Sequence, residues 1–266
     1  MADLLKIWVR QRVDDIRLRL REMCRRQLRK IIELAVTDMD LMSRLSDATR
    51  SAAFEEQNLR DAASFKHRAA LHRFVLQQIE YPDGLHLEFG VYKGNSINRF
   101  AQLNPNVTWY GFDSFVGLPE GWTLGAKAGA FSVGGRLPPV RGNVQLIAGF
   151  FEDTLPPFLA KRRDEKIALM HIDCDLYSAT RTILTNVADM LAPGSIIIFD
   201  ELINYHGWED GEYRAFTEFA ARRHLRYEYL AYNRTGSQVA VRILDESAPA
   251  QLPGEAPSEQ ITMMRQ

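Results

Sequence analysis

His86-Leu87-Glu88-Phe89-Gly90-Val91-Tyr92-Lys93-Gly94-Asn95-Ser96 is a short buried strand running into a glycine-containing turn and then a helix. Gly90 lets the backbone turn sharply, and Gly94 lets a ligand approach without meeting a Cβ. Such turns sit at the carboxyl ends of strands in doubly wound sheets, where ligands bind. The glycines here are spaced G-x-x-x-G rather than the G-x-G-x-x-G of dinucleotide sites. Glu88 directs a carboxylate at the turn, which would repel a pyrophosphate but suits the ammonium group of an amino-acid moiety. That combination favours S-adenosylmethionine over a nicotinamide dinucleotide. Tyr92 and Ser96 belong to the same turn and join Glu88, Gly90 and Gly94 as cofactor-binding candidates.

Strands and helices alternate outward from this turn. Residues 85–89, 107–112, 144–147, 167–172 and 195–199 read as strands, with helices over 96–103, 178–191 and 213–224. Residues 227–232 and 238–243 form a hairpin around 233–237. The expected fold is therefore α/β: a doubly wound, mostly parallel sheet with an antiparallel C-terminal hairpin. Upstream, residues 2–34 and 39–70 read as helices, ending at the turn Tyr81-Pro82-Asp83-Gly84. The expected organisation is a helical extension over 1–80, a main domain over 81–245 and a disordered tail over 246–266, where Pro, Ala, Glu and Ser dominate.

The first helix has an apolar face including Leu5, Trp8, Val9, Val13, Ile16, Leu20, Met23, Ile31 and Leu34. Its other face carries Arg10, Arg17, Arg21, Arg25, Arg26 and Arg29. Asp14, Asp15, Glu22 and Glu33 dilute this charge, which favours packing on its own domain or a twin subunit over a membrane surface.

Composition narrows the remaining classes. The net charge of -1 gives no electrostatic support for nucleic-acid binding. Two cysteines in unrelated contexts, Cys24 and Cys174, exclude a disulfide framework and a cysteine zinc cage. No run approaches the ~20 apolar residues of a membrane span, and no signal-peptide block opens the chain. A cytoplasmic protein without integral membrane contact is expected.

The strand ends carry the chemistry. Asp113 closes the second strand of the alternating region, about 20 residues after the glycine turn, where an acid accepts hydrogen bonds from ribose hydroxyls. Ser114 follows it, and Gly149 and Phe150, after the third strand, are candidates for an adenine pocket. The fourth and fifth strands end in His171-Ile172-Asp173-Cys174-Asp175 and Phe199-Asp200-Glu201. Adjacent strand ends bring Asp173, Asp200 and Glu201 to one rim, where they would repel each other without a cation. Oxygen-only ligands suit Mg²⁺. A hydroxyl held there would be positioned for methyl transfer, with Asp173, Asp175, His171 or His206 as candidate proton acceptors. The glycine-dense stretch 114–139 is too long for a simple connection and is expected to form a flap.

These residues resemble a known family. Leu87–Gly94, Gly111-Phe112-Asp113-Ser114-Phe115-Val116-Gly117-Leu118-Pro119-Glu120, His171–Tyr177 and Pro193-Gly194 before Phe199-Asp200-Glu201 look like the macrocin O-methyltransferase (TylF-type) family. The resemblance implies a class I methyltransferase (Rossmann-like) fold, S-adenosyl-L-methionine as donor and Mg²⁺ held by Asp173, Asp200 and Glu201. It further implies a small-molecule hydroxyl acceptor, such as a sugar of a glycosylated natural product, and a homo-oligomer. This chain has Glu201 where the family often has a second aspartate. It has Leu176 where related catechol-type enzymes place a lysine base. Two other readings fit a similar sheet: a nucleotide-cofactor oxidoreductase, and a non-catalytic partner protein keeping the fold.

Overall fold

The computed structural model describes residues 2–245, apart from the side chains of residues 2–15 and 124. The expected tail over 246–266 and the side chains of Leu5, Trp8, Val9, Arg10 and Val13 lie outside the described residues. Two units are formed, Met1–Ser46 and the remainder from Asp47.

The first unit consists of α1 (Ala2–Thr37) and the opening of α2 (Met39–Asn58). The side chains of Ile16, Leu20, Met23, Ile31 and Leu34 are exposed. Among the described residues no helix is long and apolar enough to cross a membrane.

The second unit is built on one eight-stranded sheet. Its elements after α2 are β1 (Ala63–Phe65), α3 (Arg68–Leu76), β2 (Leu85–Phe89), α4 (Asn95–Leu103), β3 (Trp109–Asp113), β4 (Val144–Ala148) and α5 (Phe151–Leu159). They continue with β5 (Ile167–Ile172), α6 (Tyr177–Val187), β6 (Ile196–Phe199), α7 (Glu212–Arg222), β7 (Tyr227–Asn233) and β8 (Val239–Ile243). The strand order is β1-β7-β8-β6-β5-β2-β3-β4. Only β8 runs antiparallel to its neighbours, β6 and β7. The expected doubly wound sheet with an antiparallel hairpin is thus present.

The sequence explains the layering. β2, β5 and β6 are buried at every position, as central parallel strands covered on both faces must be. Alternate residues serve opposite layers. Leu87, Phe89, Ile197 and Phe199 pack into one core with Leu155, Ile183 and Phe216 of α5, α6 and α7. Trp109, Leu169, Ile196 and Ile198 pack into the other with Leu71, Val75, Ile97 and Phe100 of α3 and α4. Phe100 stacks on Trp109 at 4.8 Å between centroids, and both are fully buried. A large side chain buried this way contributes roughly 1.5–3 kcal/mol.

Several expectations need correction. Residues 39–70 are not one helix: the chain leaves α2 at Asn58, adds β1 to the sheet edge and re-enters a helix at Arg68. β1 pairs in parallel with β7, so Ala63 lies beside Ala231. Phe54 of α2 packs edge-on against Trp208, Tyr213 and Tyr229. The expected boundary after residue 80 therefore moves to between Ser46 and Asp47, because the segment from Asp47 onward is bound into the sheet and its core. The helix α5 was unforeseen because Pro156 and Pro157 lie inside it. Proline removes the N–H that would serve the carbonyl four residues back. Here those carbonyls belong to exposed Glu152 and Asp153, while Leu155 and Leu159 hold the buried face.

Candidate active site

The parallel ladder runs one residue past each strand and so aligns the site. Gly149 donates its backbone N–H to Asp113, Gly90 to Phe112, Asp173 to Phe89 and Asp200 to Ile172, all within 2.8–2.9 Å. This places the ends of β4, β3, β2, β5 and β6 along one rim. A cavity of about 630 Å³ lies over that rim, and Gly90, Asp113, Gly149, Asp173 and Asp200 all line it.

The glycine turn is locked from below. Gly90 has φ +91°, and a Cβ there would lie 1.7 Å from the carbonyl oxygen of Asp173. Its smallness serves the crossing of two strand ends. Gly94, the residue before α4, has φ +78°, a left-handed conformation that favours glycine. It is absent from the cavity wall, so direct approach of a ligand to Gly94 is not what the structure displays. Tyr92 and Ser96 do line the cavity, and the Tyr92 ring meets Phe131 edge-on at 5.8 Å.

Asp113 holds this turn. One of its oxygens accepts the backbone N–H groups of Val91 (2.8 Å) and Tyr92 (2.7 Å). The other accepts that of Phe115 (2.7 Å). Each carboxylate oxygen carries two lone pairs, so capacity remains for a hydroxyl in the cavity. Ser114 lines the cavity beside it and donates to the carbonyl of Gly117 at 3.1 Å. Gly149 (φ +140°) and Phe150, the residue preceding α5, form the wall next to Asp113.

Glu88 is placed differently from expectation. It is fully buried and does not line the cavity. Residue 88 falls on the α4 side of β2, opposite His171 in the register. Its carboxylate accepts the Ser96 hydroxyl at 2.9 Å and faces His171 Nδ1 at 3.3 Å. His171 Nε2 in turn faces Asp200 at 3.2 Å. Burial alone would lower the His171 pKa, but hydrogen bonds to Asp200 and Glu88 and their charges raise it to about 10. Both ring nitrogens face buried carboxylates, an arrangement that favours the imidazolium over a neutral base. His206 also stands apart: its Nδ1 is 2.7 Å from Asp47, and it does not line the cavity.

The acids gather as the strand ends dictate. One carboxylate oxygen each of Asp173, Asp175 and Glu201 lie within 4.8 Å of one another. Asp175 joins because the chain turns back at φ +66° after β5. Burial, then the Asp200 charge, push the Asp173 carboxyl well above the usual range and that of Asp175 up to about 6. Glu201 is raised by burial and by Asp200 and Asp173, and its Oε2 is buried without a protein partner. Asp200 behaves oppositely. Burial would raise it, but His171 and Arg68 hold it below the ordinary carboxylate range. Its oxygens accept from Arg68 (2.9 and 3.2 Å), His171 and Gln238 (3.1 Å). An all-carboxylate donor set with an unpartnered buried oxygen fits a hard divalent cation such as Mg²⁺.

Sequence reasoning missed Arg68, Gln238 and Glu212. Arg68 opens α3 and meets Asp200 across 132 residues, a pairing no local pattern signals. Glu212, fully buried at the start of α7, accepts the backbone N–H of Glu201 at 3.2 Å. In sequence it looks like an ordinary acid of a first helical turn. The expected flap is present. Leu118 and Ala130, and Gly129 and Leu118, join its limbs through backbone hydrogen bonds, and Leu118, Trp122 and Phe131 line the cavity.

Comparisons with known proteins agree with this architecture. Residues 87–202 match a family described as a methyltransferase domain. An 8-demethyl-8-(2,3-dimethoxy-alpha-L-rhamnosyl)-tetracenomycin-C 4'-O-methyltransferase of Streptomyces olivaceus is 30% identical over 142 residues, 43% of this chain and 51% of that protein. The chain thus spans about half the length of that curated relative. The crystal structure of CalS11, a calicheamicin methyltransferase, is similar at 26% identity and TM-score 0.55, over 66% of this chain and 80% of that one. The O-methyltransferase NovP is similar at 21% identity and TM-score 0.51, over 67% of this chain and 80% of that one. The fold is the class I methyltransferase (Rossmann-like) fold.

Proposed function

We propose that the chain is an S-adenosylmethionine-dependent O-methyltransferase that uses Mg²⁺ to hold a hydroxyl of a small molecule, such as a sugar of a glycosylated natural product. The observation that carries this reading is the convergence of Asp173, Asp175 and Glu201 in the same cavity as the glycine turn and Asp113. The methyltransferase-domain match and the O-methyltransferase relatives support the donor and the reaction. The rhamnosyl group in the name of the Streptomyces olivaceus relative supports the acceptor class.

The residues divide the work. Asp113 fixes the turn through Val91, Tyr92 and Phe115 and offers its remaining lone pair to a ribose hydroxyl. Gly149 and Phe150 border the adenine side. Asp173, Asp175 and Glu201, with Asp200 beside them, would hold the cation. When bound, the sulfonium donor supplies an electrophilic methyl group and the cation lowers the pKa of the accepting hydroxyl. Asp175 faces the cavity and is suited to take the proton through the carboxylate oxygen that does not hold the cation. Leu118, Trp122 and Phe131 of the flap exclude water and hold the acceptor for in-line attack, so positioning carries much of the rate.

Transfer of labelled methyl from S-adenosylmethionine to a panel of glycosylated acceptors tests this. Turnover should vanish with EDTA and in Asp173→Asn. Undiminished turnover in that variant would remove the cation from the mechanism. Failure to bind S-adenosylhomocysteine at millimolar concentration would remove the donor.

A further inference from the structure

The acid cluster already contains a cation supplied by the chain itself. Arg68, the first residue of α3, extends into the cavity, and its Nη1 lies 2.9 Å from one oxygen of Asp200 and 3.2 Å from the other. Asp173 and Glu201 also act on this guanidinium through their charges. An ion held by Asp173, Asp175 and Glu201 could add Asp200 as a ligand only by displacing this guanidinium from its oxygens.

The three donors on Asp200 are not equivalent. His171 is fully buried on β5, and Gln238 is buried immediately before β8. Neither can leave without opening the core. The Arg68 side chain is 42% exposed, so it can swing off Asp200 while keeping its charge solvated. Arg68 is therefore the exchangeable partner, and His171 and Gln238 keep Asp200 in place when it goes.

We propose that Arg68 is a built-in counter-cation that competes with the divalent ion for Asp200. The inference rests on the cation site proposed above. Asp173, Asp175 and Glu201 receive the ion, and Asp200 joins them only as it releases Arg68. Four carboxylates in one pocket are thereby never left without a positive neighbour. The freed guanidinium then faces the acceptor side of the cavity. Arg68 is a positioning residue in this account: it governs when Asp200 becomes a ligand.

The test is Mn²⁺ binding to the full-length chain, read as loss of the free-ion paramagnetic resonance signal, with Mg²⁺ as competitor. Arg68→Met removes the charge at similar length and should tighten Mn²⁺ binding by about tenfold or more, the scale expected when one competing charge is removed from contact. Arg68→Gln should tighten it as well, and Arg68→Lys should stay near the wild type. In an Asp200→Asn background the gain from Arg68→Met should disappear. Loss of the Arg68 charge by itself would tighten binding in both backgrounds, so a gain that depends on Asp200 supports the competition, and an equal gain in Asp200→Asn would overturn it. Equal or weaker binding in folded Arg68→Met and Arg68→Gln would overturn it, leaving Arg68 as a fixed clamp on Asp200. Absence of Mn²⁺ binding in the wild type and every variant would overturn the cation site itself, and this inference with it.

Discussion

Gly90 and Asp173 touch through their backbones: a Cβ on Gly90 would lie 1.7 Å from the Asp173 carbonyl oxygen. The cofactor turn and the first acid of the cation cluster are thus mechanically one structure. Gly90→Ala must displace the end of β5 and also adopt φ +91°, a conformation costing roughly 1–3 kcal/mol for a residue with a Cβ. Urea unfolding should show a loss above about 2 kcal/mol, with binding of S-adenosylhomocysteine and of Mn²⁺ lost together. Loss of only one of the two would mean that the elements are not coupled.

Asp113 spends its charge on three backbone N–H groups before it meets any ligand. Hydrogen bonds to a charged group contribute about 1.5–3 kcal/mol each in net terms. Asp113→Ala should weaken S-adenosylhomocysteine binding by at least about tenfold and raise hydrogen exchange at Val91 and Tyr92. Asp113→Asn keeps an acceptor oxygen and should fall between it and the wild type.

His171 should remain charged throughout the neutral range. A histidine whose pKa is raised from 6.5 to about 10 contributes stability that is fully present below 6.5 and lost as pH rises through about 10. Nitrogen-15 spectra should show both ring nitrogens protonated at pH 8. Replacing His171 by Gln leaves Glu88 and Asp200 as buried acids facing a neutral group, at a cost of about 3–5 kcal/mol. A neutral ring at pH 7 would contradict the bridge.

The acid cluster gives the ion-free protein a pH dependence of the opposite origin. Asp175 is raised from 3.8 to about 6, so the folded chain holds that proton more tightly than the unfolded one. Its contribution to stability is present below pH 3.8 and is lost as pH rises to about 6. Asp173, Glu201 and Glu212 are shifted in the same direction. In EDTA the melting temperature at pH 7 should therefore be higher for Asp175→Asn than for the wild type. Saturating Mg²⁺ should reverse that order.

The fold was legible because its signals are local. The apolar runs of β2, β5 and β6, the turn at Gly90 and the hairpin around 233–237 depend on neighbours in the chain. Strand adjacency brought Asp173 and Glu201 to one rim, but the cluster is completed by Asp175, which the turn after β5 brings in, while Asp200, expected as a ligand, is engaged by Arg68, His171 and Gln238. What escaped is non-local or runs against propensity. Ala63–Phe65 is a strand only because β7 offers an edge, and Phe151–Leu159 is a helix despite two prolines. Glu88 was expected to face the cofactor, but the two-residue period of β2 turns its side chain to the α4 layer. His206 follows the right strand, yet Asp47 draws it away from the cavity.

Proton relaxation of bound S-adenosylhomocysteine in the presence of Mn²⁺ probes most directly whether donor and cation share one cavity. Bound Mn²⁺ should strongly broaden the resonances flanking the sulfur in the wild type, and Asp173→Asn should abolish the effect while nucleoside binding persists. S-adenosylhomocysteine that binds with its sulfur-flanking resonances untouched by Mn²⁺ would contradict the account.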